Sequence, residues 1–154
     1  MARSGWKKAL VVAGLVIVGL LLAAQVVPYG RDHSTPPVTA EPQWNAPGTR
    51  ALAQRACFDC HSNQTRWPWY SNVAPISWLV QADVDEGRQV LNFSEWTRGY
   101  DEAQESGKTV RNQEMPPRSY LLMHPEARLS DAERQQLASG LDATFDPARS
   151  TQRD

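Results

Sequence analysis

The sequence predicts an all-α protein: one apolar N-terminal helix, then a small helical domain with long loops. Three observations carry that reading. Ala9 to Val27 is a run of nineteen residues in which Gln25 is the only strongly polar member. Beyond it, apolar residues return at helical spacing in several segments. No stretch alternates polar and apolar residues in the manner of a half-buried strand.

The apolar run is long enough to span a bilayer core as a helix, at about 1.5 Å per residue. Arg3, Lys7 and Lys8 precede it, and no acidic residue occurs before Asp32. The positive-inside tendency then puts the N-terminus in the cytoplasm and the rest across the inner membrane, on the periplasmic side. The rival is a cleaved signal peptide. That normally has a shorter apolar region ending in an A-x-A pattern, whereas Ala23-Ala24 follows Leu21 and Leu22. The expected organisation is an anchor over 1–30, a tether over 31–46 rich in proline, a domain over 47–147 and a tail over 148–154.

The tether reading rests on Pro28, Pro36-Pro37, Pro42 and Pro47 in a stretch also rich in Gly and Thr. Pro47 suits a first helical turn, with Asn45 as the expected cap. Leu52 and Ala56 share a face of the helix that leads into Cys57. Ser62 to Pro75 reads as a loop, yet it carries Trp67, Trp69 and Tyr70 and so needs an apolar surface to cover. Ile76, Leu79, Val80 and Val84 form the next helical stripe. A further helix is expected from Ser94, with Trp96, Tyr100, Ala103, Gly107 and Val110 on one side. The clearest helix runs from Ser130 to Phe145, with Ser130 and Glu133 at capping-box spacing and Pro147 ending it.

The exported part carries thirteen of the chain's sixteen basic residues against all seventeen acidic ones. That balance argues against nucleic-acid binding, which favours basic patches. It suits at most a weak electrostatic preference for basic partners.

The chemistry concentrates in Cys57-Phe58-Asp59-Cys60-His61, which holds the only two cysteines. C-x-x-C-H is the attachment signature of c-type haem. Cys57 and Cys60 would form thioethers with the haem vinyl groups, and His61 would bind the iron from the proximal side. A thiol–disulfide site is a rival, but such motifs usually open a helix beside a βαβ pattern. Structural zinc needs four ligands, and the other histidines are only His33, in the tether, and His124.

A low-spin haem needs a second axial ligand. Met115, which heads Met115-Pro116-Pro117, is the first candidate, and His124 before Pro125 is the alternative. Met123 and His33 complete the set. His61 should donate its ring N–H to a carbonyl, with Pro68 or Pro75 as the candidate supplier. Arg66, Trp69, Tyr70 and Tyr120 are candidate haem-pocket residues. A haem centrepiece also accounts for five tryptophans (Trp44, Trp67, Trp69, Trp78, Trp96) in so small a domain, which could otherwise bury only a limited core.

These residues also occur in a recognisable order. Cys57 to Asn63 is followed by Trp67-Pro68-Trp69-Tyr70-Ser71 and by Ala74-Pro75 through Ser77-Trp78. Then come Leu91-Asn92-Phe93-Ser94 with Trp96, Met115-Pro116-Pro117 with Tyr120, and His124-Pro125 before Leu129-Ser130. In this order the chain resembles the haem-binding domain family of small membrane-anchored bacterial c-type cytochromes. The resemblance spans nearly all of the exported part. It implies one covalent haem c and a cytochrome c-like fold.

The function expected is one-electron transfer by a membrane-anchored monohaem cytochrome, an electron carrier rather than a catalyst. Its partners would be redox proteins or a larger membrane complex, and no small-molecule substrate is required. The alternatives are an electron-input module for a haem enzyme such as a peroxidase, and a haem-based sensor or ligand-binding protein. A C-x-x-C thiol oxidoreductase is the remaining one.

Overall fold

The structure, a computed structural model, describes residues 5–145. Among the described residues there are seven α-helices: α1 (Gly5–Ala24), α2 (Pro47–Ala56), α3 (Phe58–His61), α4 (Ile76–Val90), α5 (Ser106–Arg111), α6 (Arg118–Met123) and α7 (Asp131–Phe145). Short 3₁₀ turns fill several of the gaps between them. Among the described residues there is no strand, only an isolated bridge between Ala40 and Glu95. The fold is all-α.

The chain divides into two compact units. One comprises the residues up to His33 together with Trp67–Asp83. The other comprises Ser34–Arg66 and the chain from Val84 on. In the first unit, α1 is long and apolar enough to cross a membrane, as an anchor or a signal sequence. None of its residues is buried by protein.

The second unit holds the hydrophobic core. Leu52, Ala53 and Ala56 of α2 meet Leu137, Ala138 and Leu141 of α7 around Phe58, Phe93 and Phe145. Aromatic rings knit this core. Trp44 meets Phe93 edge-on at 5.2 Å, Phe58 lies 5.5 Å from Phe93, and Trp96 stacks on Phe145 at 4.8 Å. Such pairs add about 0.5–1.5 kcal/mol each beyond the area they bury.

Helix α7 begins as the sequence predicts. Glu133 accepts from the Ser130 backbone N–H at 2.8 Å, and the Ser130 hydroxyl accepts from the Glu133 N–H at 3.3 Å. The Ser130 backbone N–H, with help from Arg55 at 2.6 Å, holds the Glu133 carboxyl down at about 2. Ser130→Ala should lower the unfolding free energy by about 1 kcal/mol in urea denaturation. Pro147 lies outside the described residues.

Two sequence expectations are corrected. Asn45 does not cap α2. The cap position is Ala46, with no side-chain bond, because Asn45 is engaged by Thr144. Ser94 does not start a helix. Its N–H donates to Asn92 Oδ1 and its hydroxyl accepts from the Asn63 N–H, so it serves a buried turn. The chain beyond it breaks into 3₁₀ turns at Trp96–Arg98 and Asp101–Glu105 before α5, with Gly99 at φ 70 between them. A left-handed residue cannot continue a right-handed helix. Ala103, Gly107 and Val110 are nonetheless buried as expected.

Helix α4 forms where the spacing predicts, and Ile76 and Leu79 of its apolar stripe are 46% and 66% exposed. The buried positions are Ser77, Gln81, Val84 and Gly87.

The stretch from Ser34 to Glu41 is bonded along its length within the second unit. Ser34 accepts from Arg88, and Pro37 accepts from the Asn63 side chain. The Thr39 N–H donates to Ser94, and Ala40 accepts from the Trp96 N–H. Glu41 takes a two-pronged bond from Arg50, at 2.7 Å on each side.

Candidate cofactor site

The C-x-x-C-H residues sit at the break between two helices. α2 ends at Ala56, Cys57 leaves the helical region (φ −127, ψ −31), and α3 resumes at Phe58. The Cys57 carbonyl accepts from the N–H groups of both Cys60 and His61, at 3.2 and 2.9 Å. Cys57 thus stands at the start of α3 and Cys60 within it. Neither is in a disulfide. Burial pushes the Cys57 thiol up to about 12, with a further push from Cys60. That is opposite to a redox-active cysteine, whose thiol must ionise readily.

His61 has the most telling geometry. Its Nδ1 lies 2.9 Å from the Gly87 carbonyl and 3.0 Å from the Leu91 carbonyl, both at the C-terminal end of α4. Carbonyls only accept, so Nδ1 carries the proton and Nε2 keeps its lone pair. Burial lowers the His61 pKa against the pull of the two carbonyls, so the ring stays neutral. A neutral imidazole with its second nitrogen tied to a carbonyl is the usual form of a metal-ligating histidine. The acceptors are the helix-end carbonyls of Gly87 and Leu91, not those of Pro68 or Pro75 as the sequence suggested.

α4 reaches this close because residue 87 is a glycine. A Cβ there would lie 2.6 Å from the Cys60 carbonyl oxygen and 2.9 Å from Cys60 Cβ. The chain after the motif is held by a buried polar relay. Phe93 N–H donates to the His61 carbonyl at 2.8 Å, and Asn92 Nδ2 donates to Asn63 Oδ1 at 2.9 Å. The Ser62 hydroxyl donates to the Phe58 carbonyl at 2.7 Å. Satisfying each buried polar group in this way fixes one arrangement of the loop.

Asp59, inside the motif, is a site residue that sequence reasoning missed. Its carboxylate takes a two-pronged bond from Arg66 (Nε at 3.1 Å, an Nη at 2.9 Å), a bond from the Arg66 backbone N–H at 3.0 Å, and one from the Tyr120 hydroxyl at 2.7 Å. Burial pushes the Asp59 carboxyl up, but the bonds from Arg66 and Tyr120 outweigh it and leave it below its ordinary value. Burial and the Asp59 carboxylate together raise the Tyr120 phenol, so it stays protonated as the donor. Arg66 and Tyr120, both expected near the cofactor, are thus brought together on Asp59. The one sequence signal was an acidic residue between two cysteines.

Tyr120 also bears on His124. The two rings stack at 3.9 Å with 11° between their planes, and His124 Nδ1 donates to the Tyr120 carbonyl at 3.0 Å. Met115 lies in the turn between α5 and α6 and is 38% exposed. Trp69 and Tyr70 belong to the other unit, as an edge-on pair at 5.9 Å, with Trp69 77% exposed. His33 is in that unit too, stacked on Trp67 at 4.5 Å.

A family model for the haem-binding domain matches residues 19–143, most of the chain. The chain belongs to the haem-binding domain family. Neither a curated protein nor a solved structure matches it. Haem is therefore its cofactor, and the donor set fits it, since His61 offers a neutral, oriented imidazole. The glycine notch at residue 87 keeps that imidazole tied to α4.

Proposed function

We propose that this haem-binding domain is a membrane-anchored, monohaem c-type cytochrome that transfers single electrons on the periplasmic side of the inner membrane. The observation that carries the reading is His61, tied at Nδ1 by two helix-end carbonyls and placed directly after the second of the two cysteines. Cys57 and Cys60 would hold haem c by thioethers, with His61 as the proximal ligand and Met115 as the distal one. Bound there, haem c supplies one iron that accepts and returns a single electron. The chain's own work is to hold His61 neutral and oriented and to fix the motif through Asp59 and Asn63.

A second assignment of the distal ligand has its own support. His124 donates Nδ1 to a carbonyl, as His61 does, which leaves Nε2 as the acceptor nitrogen. Ligation by two histidines would set a lower potential than methionine with histidine. Met115→Ala and His124→Ala separate the two. Loss of the weak long-wavelength sulfur-to-iron band of the ferric protein in Met115→Ala alone assigns Met115. Absence of that band from the wild type, with a changed spectrum only in His124→Ala, assigns His124.

Electron transfer further predicts six-coordinate haem in both oxidation states and no carbon monoxide binding at neutral pH. Rapid binding to the ferrous protein would point instead to a sensor or ligand-binding role. Partners would be redox proteins or subunits of a larger membrane complex, reached by diffusion in the membrane plane.

A further inference from the structure

The first unit joins two stretches that are distant in sequence: the exit from α1 and the loop Trp67–Pro75 with the start of α4. The join begins at the end of the apolar helix. Gln25 Nε2 donates to the Ala74 carbonyl at 2.7 Å, and Gln25 Oε1 accepts from the Ala74 N–H at 3.1 Å. Arg31 braces the same glutamine through its carbonyl and its Oε1, at 2.8 and 2.9 Å. Gly30, at φ 79, brings the backbone against the Ser77 carbonyl, where a Cβ would sit at 2.5 Å. His33 closes the join, stacked on Trp67 with Nε2 at 2.9 Å from the Ser71 hydroxyl.

This join fixes a height. Twenty helical residues rise about 30 Å, the thickness of a bilayer's hydrocarbon core. If α1 spans, Gln25 lies at the boundary with the headgroups, and Ala74 lies there with it. The same stretch leaves large apolar side chains uncovered. Trp69 is 77% exposed and Leu79 66%, with Val73 and Ile76 beside them in sequence and Val26 and Tyr29 on the segment leaving α1. A soluble domain would not leave such a set in water. Trp and Tyr at the end of a span are the residues that membrane interfaces favour.

We propose that Trp69, Val73, Ile76 and Leu79 form a membrane-interface collar, seated in the outer headgroup region of the bilayer that α1 crosses. The occupant is lipid, because the collar is bonded to the first residue beyond the span. This gives Trp69 to the membrane rather than to the haem pocket, and it rests on the anchored reading of α1. The collar would hold the Trp67–Pro75 loop and the start of α4 at the membrane surface.

The test uses the full haem-loaded chain in phosphatidylcholine nanodiscs with one copy per disc. p-Benzoylphenylalanine is placed singly at Trp69, Leu79, or Leu15 within α1, all exposed positions. After illumination, mass spectrometry should find lipid adducts at positions 69, 79 and 15. Adducts at 15 without any at 69 and 79 overturn the collar while leaving the anchor intact. No adducts at 15 overturn the anchor, and the collar with it. Adducts at 69 or 79 that appear only with two copies per disc, and join protein to protein, assign the surface to a second copy and also overturn the collar.

Discussion

Gly87→Ala should destabilise the protein and loosen the hold on His61, the proposed iron ligand. In an exposed helix the same change would stabilise by up to about 1 kcal/mol, since alanine is the better helix former. Here residue 87 is buried, and the new Cβ would meet Cys60 carbonyl oxygen at 2.6 Å and Cys60 Cβ at 2.9 Å. Both are rigid parts of the motif loop, so α4 must move. Overpacking of this kind costs about 1–3 kcal/mol, which exceeds the propensity gain. The movement also draws the Gly87 and Leu91 carbonyls off His61 Nδ1, freeing the ring to turn. Denaturant unfolding should show a net loss of about 1–2 kcal/mol. The reduction potential and the spectrum should shift in the same variant. A stabilised variant with an unchanged spectrum would remove α4 from the account of the site.

Asp59→Ala should cost about 1–2 kcal/mol, because it strands the half-buried Tyr120 hydroxyl and the arginine that now cover the carboxylate. The side chain of Arg66 is 58% exposed and can find water, so most of the loss falls on Tyr120 and the loop. The ion pair also sets a pH dependence. The Asp59 carboxyl titrates below its ordinary value when folded, so its contribution is fully present above the unfolded carboxyl value near 3.8. It is lost as pH falls through the lower folded value. Acid unfolding of the wild type should therefore steepen below about pH 4, and Asp59→Asn should flatten that limb. Because Tyr120 stacks on His124, the same variants should also perturb whatever the α6 end contributes to the haem.

What the sequence made legible was local chemistry. C-x-x-C-H needs only five consecutive residues, and the Ser130–Glu133 capping box needs four. Leu137, Leu141 and Phe145 recur on one side of a single helix, and all three are buried. The partners of His61 were not legible, because they are backbone carbonyls 26 and 30 residues further on. A carbonyl carries no residue identity, so no motif can announce it. Gly87 is silent for a similar reason: its function is the absence of a side chain at a close approach. The stripe from Trp96 to Val110 has helical spacing, yet Gly99 and the buried bonds of Ser94 divide it into turns. Tertiary hydrogen bonding there outweighs weak local propensity. Ile76 and Leu79 show the converse, since helical spacing marks an apolar face without saying what covers it.

The most direct test of the central claim is haem retention by the full chain, expressed with c-type haem maturation. The account predicts one haem per polypeptide that stays attached through acidified acetone and denaturing electrophoresis. Its pyridine haemochrome should have the band position of thioether-linked haem, and Cys57→Ser with Cys60→Ser should lose the attached haem. Haem that extracts completely from the wild-type chain, leaving two titratable thiols on a C-x-x-C loop, would contradict it.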